Sequence, residues 1–113
     1  DGQLAINPTG GPELSAGGTG DVLTGLLAAF MAQGLPAWEA AVLAAWVHGD
    51  AGDRLSRRAG HSGLLASELA DEVPMTCESL RSGWRASAEV ADGELEARRD
   101  ERGFSFLLPF PGA

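Results

Sequence analysis

Apolar residues recur at helical spacing over three stretches of the chain and alternate with polar ones over two others. The first alternating stretch, Gln3-Leu4-Ala5-Ile6-Asn7, reads as a half-buried strand. It follows Asp1-Gly2, a dipeptide suited to the two-residue turn of a β-hairpin. A hairpin turn needs a strand on each side, so the pattern is expected to belong to a piece of a longer protein, or to a truncated or processed product. Val22, Leu26, Leu27 and Phe30 then outline the apolar face of a helix capped by Thr19 or Asp21 and running to Gln33, where Gly34 and Pro36 stop it. Gly25, Ala28, Ala29 and Ala32 leave room on this helix for a closely packed neighbour. A second helix is predicted over 37–58 from Trp38, Val42, Ala45 and Trp46, with Gly49 and Gly52 expected to bend it or end it early. A third begins near Ser62, carries Leu65, Leu69 and Val73 on one face, and stops before Pro74.

From Met75 onward the periodicity weakens. Residues 94–102 are highly charged and read either as a solvated helix or as a disordered stretch. Phe104-Ser105-Phe106-Leu107 alternates weakly, as a last strand ending at Pro109 and Pro111 would. No internal repeat is visible. The chain thus divides into an organised part, 1–74, and a tail, 75–113, whose order the pattern leaves open.

Composition narrows the partners. A length of 113 residues is one domain at most, and 44% hydrophobic residues is ordinary for a globular protein. A net charge of −8 argues against nonspecific binding to nucleic acid or to anionic membranes, which need a basic surface. Any phosphate must therefore be held locally, by backbone N–H groups and a helix end. The lone Cys77 has no internal disulfide partner and no cysteine or histidine cluster suggests a metal site, which fits a reducing cytoplasm. The longest apolar run, 22–32, is shorter than the ~20 residues that span a bilayer.

The candidate chemistry lies between the first strand and the first helix. The loop 8–20 holds five glycines, at 10, 11, 17, 18 and 20, together with Pro12. Such density serves either positive-φ turns or the close approach of a ligand to the backbone. Gly17-Gly18-Thr19-Gly20 precedes the amphipathic stretch, where the first N–H groups of a helix lack internal partners and the helix dipole is positive. Glycine removes the Cβ that would hold a phosphate away from them. Asp21 stands in the same turn as an acceptor for a hydroxyl proton. Transfer of a phosphoryl group to a hydroxyl needs both functions side by side. No Gly-Lys-Ser/Thr follows, so this is not a Walker A loop. A glycine turn with an aspartate at a helix start also occurs as simple capping, and spacing alone does not separate the two readings.

Three blocks in order resemble a known family: Asn7-Pro8-Thr9-Gly10 … Gly17-Gly18-Thr19-Gly20-Asp21-Val22-Leu23-Thr24-Gly25, His48-Gly49-x-Ala51-Gly52-Asp53, and Ser62-Gly63-x-x-Ala66-Ser67-Glu68. Together they look like the C-terminal part of ADP/ATP-dependent NAD(P)H-hydrate dehydratase, a ribokinase-like repair enzyme that restores hydrated NADH and NADPH. The resemblance covers residues 1–74. It implies an α/β fold, the C-terminal part of a three-layer α/β/α domain that is mostly helical in this stretch. It implies a lyase that uses ADP or ATP as co-substrate, accompanied by Mg2+. Carried over by position, Asp21 would be the catalytic base and contact the hydrated nicotinamide, while Gly17, Gly18, Thr19 and Gly20 would bind the nucleotide. The family's domain is more than twice as long, and its upstream lysine-glycine segment has no counterpart here. A homo-oligomer, or association with the missing part of the domain, is therefore expected. A ribokinase-like small-molecule kinase and a non-catalytic remnant of the domain are the alternatives.

The remaining polar residues point to structure more than to chemistry. His48, beside Trp46, reads as a packed histidine with a satisfied hydrogen bond, and Asp53 as a structural carboxylate. His61 reads as a solvated loop residue, and Trp38, Trp46 and Trp84 as core or interface anchors. Asn7 and Thr9 stand open between lining the nucleotide pocket and supporting the loop.

Overall fold

The helical periodicity of the first stretch produces α1, Thr19–Ala32, in a computed structural model that describes residues 2–90, with side chains to Arg85. The helix ends where Gly34 and Pro36 predict. Gly34 adopts φ 102°, its N–H donates to the Met31 carbonyl, and that of Leu35 reaches back to Phe30 at 3.2 Å. Leu35 and Phe30 are both buried, which completes a Schellman stop. The start differs from expectation. Neither Thr19 nor Asp21 caps the helix; the N-cap is Gly18, at φ 90°. The Thr19 hydroxyl instead turns back onto the carbonyls of Leu14 (2.7 Å) and Ala16 (3.0 Å), which ties the helix to the 3₁₀ turn Pro12–Ser15 before it.

α2 spans Ala37–Ala59 without a break at Gly49 or Gly52, correcting the expected bend. Every residue from Trp46 through Gly52 is buried. A helix buried on all sides needs neighbours on all sides. α1 and α3 supply two, and the glycine loop supplies another, with Thr9 lying across Gly49 and the 3₁₀ turn residues Glu13 and Leu14 across Gly52. The main core lies where the three helices meet, around Leu26, Phe30, Leu43, Trp46, Val47 and Leu80. A smaller cluster of Ala51, Leu55 and Leu69 closes the end nearest the glycine loop, with Leu14 and Val22 against it.

α3, Ala66–Val90, starts later than expected and runs straight through Pro74. Its first turn is fixed by Glu68, whose carboxylate accepts the Leu65 N–H at 2.8 Å, one half of a capping box. Proline inside a helix costs about 3 kcal/mol, because it leaves the carbonyl four residues back unpaired and its ring crowds that carbonyl. Here Ala70 and Pro74 are both exposed, so water reaches the freed carbonyl. Beyond the proline, Cys77 and Leu80 are buried against α1 and α2. Burying such side chains contributes about 1.5–3 kcal/mol each, enough to carry the helix past the break. An ion pair between the exposed Arg58 and the buried Glu72, 2.8 Å long, also joins α2 to α3.

The stretch 3–7 is extended but forms no strand, and the described residues contain no sheet. Leu4 and Ile6 alternate as expected but are 83% and 84% exposed. A strand requires a partner ladder, and none is present among the described residues. Asp1 lies outside them; Gly2 alone retains a turn-like φ of 77°. The expected charged stretch 94–102 and last strand 104–107 also lie outside the described residues. No helix among the described residues is long and apolar enough to cross a membrane.

Candidate active site

The glycine loop is held on α2 by a series of backbone and side-chain bonds. Asn7 Nδ2 donates to the Ala45 carbonyl at 3.0 Å, and the buried Thr9 hydroxyl lies 2.9 Å from the Trp46 carbonyl. Both carboxylate oxygens of Asp53 accept from the Gly10 N–H at 3.2 Å. This close approach requires glycine in the helix. A Cβ on Gly49 would stand 2.6 Å from the Thr9 carbonyl carbon, and one on Gly52 would stand 2.9 Å from Leu14. The His-Gly-x-Ala-Gly-Asp block is thus the seat of the loop. Asp53 serves it structurally, as expected, and Asn7 and Thr9 spend their polar groups on α2.

Beyond that seat the chain enters the turn 16–21. Gly17, Gly18 and Gly20 are exposed, and a Cβ on Gly17 or Gly20 would meet open space. Their N–H groups donate to no acceptor among the described residues, whereas Asp21 N–H is used by Gly18 O at 3.1 Å. Thr19 is buried and braces the turn through its hydroxyl. Asp21 is exposed on the first turn of α1, with no ion pair among the described residues. Unclaimed donors and an unclaimed carboxylate therefore share one helix end. The described residues contain no cluster of three or more acidic, histidine or cysteine side chains able to hold a metal.

Two contacts were not legible beforehand. Glu13 is buried; its Oε1 accepts the Gly11 N–H at 2.7 Å and its Oε2 lies 3.0 Å from Nδ1 of His61. His61 is thus engaged rather than merely solvated. Nothing local in the sequence pairs residues 48 positions apart. The second is His48, buried on α2, whose Nε2 lies 2.8 Å from the Thr19 carbonyl oxygen. Its reading as a satisfied histidine holds, and the partner is the first residue of α1.

Burial pushes the Glu13 carboxyl upward, but the His61 hydrogen bond, the Glu13 and Gly11 N–H groups and the His61 charge outweigh it and hold the group below its ordinary 4.5. A carboxylate whose folded pKa is depressed adds stability above the unfolded value and loses it as pH falls through the folded one. Urea midpoints measured across about pH 6 to 3 are therefore expected to fall more steeply for the wild type than for Glu13→Gln. Parallel slopes would remove Glu13 from the acid response.

With this geometry in hand, comparison with known proteins is direct. The model of the family described as NAD(P)H-hydrate dehydratase matches residues 1–75, and the chain belongs to that family. It is 45% identical over 80 residues to the bifunctional NAD(P)H-hydrate repair enzyme Nnr of Moorella thermoacetica, covering 71% of this chain and 15% of that protein. It is 42% identical over 83 residues to the ADP-dependent (S)-NAD(P)H-hydrate dehydratase of Xanthomonas campestris, covering 74% of this chain and 29% of the relative. The Nnr enzyme of Methanopyrus kandleri is 41% identical over 100 residues, 88% of this chain and 19% of its own length. The chain therefore spans less than a third of each of these relatives. No solved structure matches it significantly.

Proposed function

We propose that the turn 17–21 is the nucleotide and substrate site of a dehydratase that returns hydrated NADH or NADPH to the reduced cofactor in the cytoplasm. The observation that carries this reading is the coincidence of exposed, unclaimed N–H groups on Gly17, Gly18 and Gly20 with the exposed carboxylate of Asp21. Gly17, Gly18 and Gly20 receive the phosphoryl oxygens of ADP or ATP, and Thr19 keeps the turn in shape. Asp21 accepts the proton of the substrate's ring hydroxyl as that oxygen takes the terminal phosphoryl group from the nucleotide. Phosphate then leaves with the carbon–oxygen bond electrons, and loss of the neighbouring ring proton restores the double bond. Mg2+, bound with the nucleotide, would neutralise charge on the phosphoryl group as it transfers.

The same reading makes these residues part of a ribokinase-like α/β/α domain. Leu4 and Ile6 are large apolar side chains left 83% and 84% exposed on a segment with a strand's alternating pattern. The groove between that segment and α2, about 270 Å3 and lined by Trp38, Ala41 and Val42, is apolar. Both features suit cover by the rest of such a domain, within the same protein or from an associated copy.

The test supplies hydrated NADH with ADP or ATP and follows recovery of reduced-nicotinamide absorbance. Recovery with one nucleotide and none without it is the expected result. A phosphorylated small molecule without recovery would turn the reading toward a kinase. Absence of any nucleotide binding would turn it toward a remnant that keeps the fold of the turn alone.

A further inference from the structure

Resting on the dehydratase reading, we propose that His48 is a positioning residue that aims the Gly20 N–H at the bound phosphate. His48 sits in the buried centre of α2, and its Nε2 is 2.8 Å from the Thr19 carbonyl oxygen. A carbonyl only accepts, so Nε2 carries the proton. The carbonyl of Thr19 and the N–H of Gly20 belong to one peptide group. That group is planar and trans, so its C=O and N–H point in opposite directions. Holding the carbonyl inward, toward α2, therefore turns the Gly20 N–H outward, to the exposed side where no described residue accepts from it.

Thr19 opens α1, so its carbonyl also takes the helical bond from four residues on, which directs it along the axis, and His48 adds the one restraint from the side, across to α2. The Thr19 hydroxyl reaches Leu14 and Ala16, both within the loop, and fixes the side chain rather than the plane of the following peptide. Gly20, on one side of this peptide, has no Cβ and accepts many orientations, so a tether on the Thr19 carbonyl restrains a link that its own residue holds loosely. A donor on its carbonyl also polarises the group and strengthens its N–H as a donor. The restraint comes from a side chain on a different helix, one whose neighbours Gly49 and Gly52 seat the rest of the loop. Both halves of the glycine loop are thus registered against the same stretch of α2.

The experiment uses the full chain as wild type, His48→Gln and His48→Ala, with ADP as the probe. Glutamine places an amide N–H near the Nε2 position; alanine does not. Ring 15N shifts of the wild type are expected to report the Nε2–H form. In His48→Ala the Gly20 amide resonance is expected to move and ADP to bind about tenfold more weakly, the loss of one hydrogen bond to a charged ligand. His48→Gln is expected to restore both. A ring protonated only at Nδ1, a Gly20 resonance and ADP affinity untouched by alanine, or a glutamine variant indistinguishable from alanine would each overturn the proposal. Failure of the wild type to bind ADP would instead overturn the dehydratase reading, while the tautomer and the Gly20 resonance still decide the role of His48. A collapse of His48→Ala alone leaves the decision to the wild-type tautomer and the glutamine variant.

Discussion

Replacing Gly49 with alanine is expected to destabilise the protein by about 3–5 kcal/mol, against the direction that helix propensity predicts. In the interior of an exposed helix, glycine to alanine gains about 1 kcal/mol. At Gly49 the added methyl would stand 2.6 Å from the carbonyl carbon and 2.7 Å from the Cβ of Thr9, and closer still to its hydroxyl oxygen. These are backbone and near-backbone atoms, so no rotamer change relieves the overlap. The loop has to lift, and with it go the Thr9 contact to the Trp46 carbonyl, the Asn7 bond to Ala45 and the seat of Gly10 on Asp53. Overpacking of about 1–3 kcal/mol and hydrogen bonds at about 1 kcal/mol each, the Thr9 one buried, together exceed the propensity gain. Gly83→Ala on α3 is the control, because a Cβ there meets nothing within 4 Å. It should leave stability unchanged or raise it by up to about 1 kcal/mol. Urea unfolding of both variants measures the contrast. Equal midpoints would mean the loop does not lie on Gly49 as described.

Gly52→Ala separates backbone from side-chain crowding at the same seat. Its Cβ would meet Leu14 Cδ2 at 2.9 Å and Glu13 Oε1 at 3.0 Å, both at the far ends of side chains. The leucine can yield, whereas the glutamate is held by Gly11 and His61. The cost should therefore fall between those at Gly83 and Gly49.

The same positions mark what a single sequence reveals and what it hides. α1 and α2 were legible because their apolar spacing spans several turns and Gly34-Leu35-Pro36 punctuates them. The placement of Asp21 beside a glycine turn was legible for the same local reason. Gly49 and Gly52 were visible as helix breakers, but local propensity carries no sign of a loop arriving from 40 residues away, which is what makes them necessary. Pro74 is a stop signal by local rule, but solvent at the exposed Ala70 carbonyl and burial of Cys77 and Leu80 beyond it, neither of which is local, let the helix continue. The alternation at 3–7 predicts a half-buried strand, but a strand is a relation between segments, and without a partner strand among the described residues the segment stays exposed and joins no ladder. His48 and Glu13 act through contacts 29 and 48 residues apart, for which periodicity and spacing have no signal. The second block of the family pattern contains small residues because the glycine loop lies directly on them.

Asp21→Asn is expected to lower the rate of cofactor recovery by about 10²–10⁴-fold while leaving the fold in place. The amide keeps the size and polarity of the carboxylate but cannot take the hydroxyl proton. Asp21 is exposed, and its stabilising role as an acid in the first turn of α1 is limited to the dipole interaction, about 0.3–1 kcal/mol. A loss of stability that small leaves the protein folded, so a large rate loss would have to come from the chemistry. Nucleotide binding adds the second criterion. If the N–H groups of Gly17, Gly18 and Gly20 hold the phosphates, removal of a nearby negative charge should leave ADP affinity unchanged or tighten it, since like charges repel. The expected signature is thus a collapsed turnover with intact or improved nucleotide binding and an unfolding midpoint close to wild type. Single-turnover recovery of reduced-nicotinamide absorbance on the full-length protein, with ADP titration alongside, reads all of it. Turnover within a few-fold of wild type in the asparagine variant would remove Asp21 as the base and return it to the role of a helix-start carboxylate.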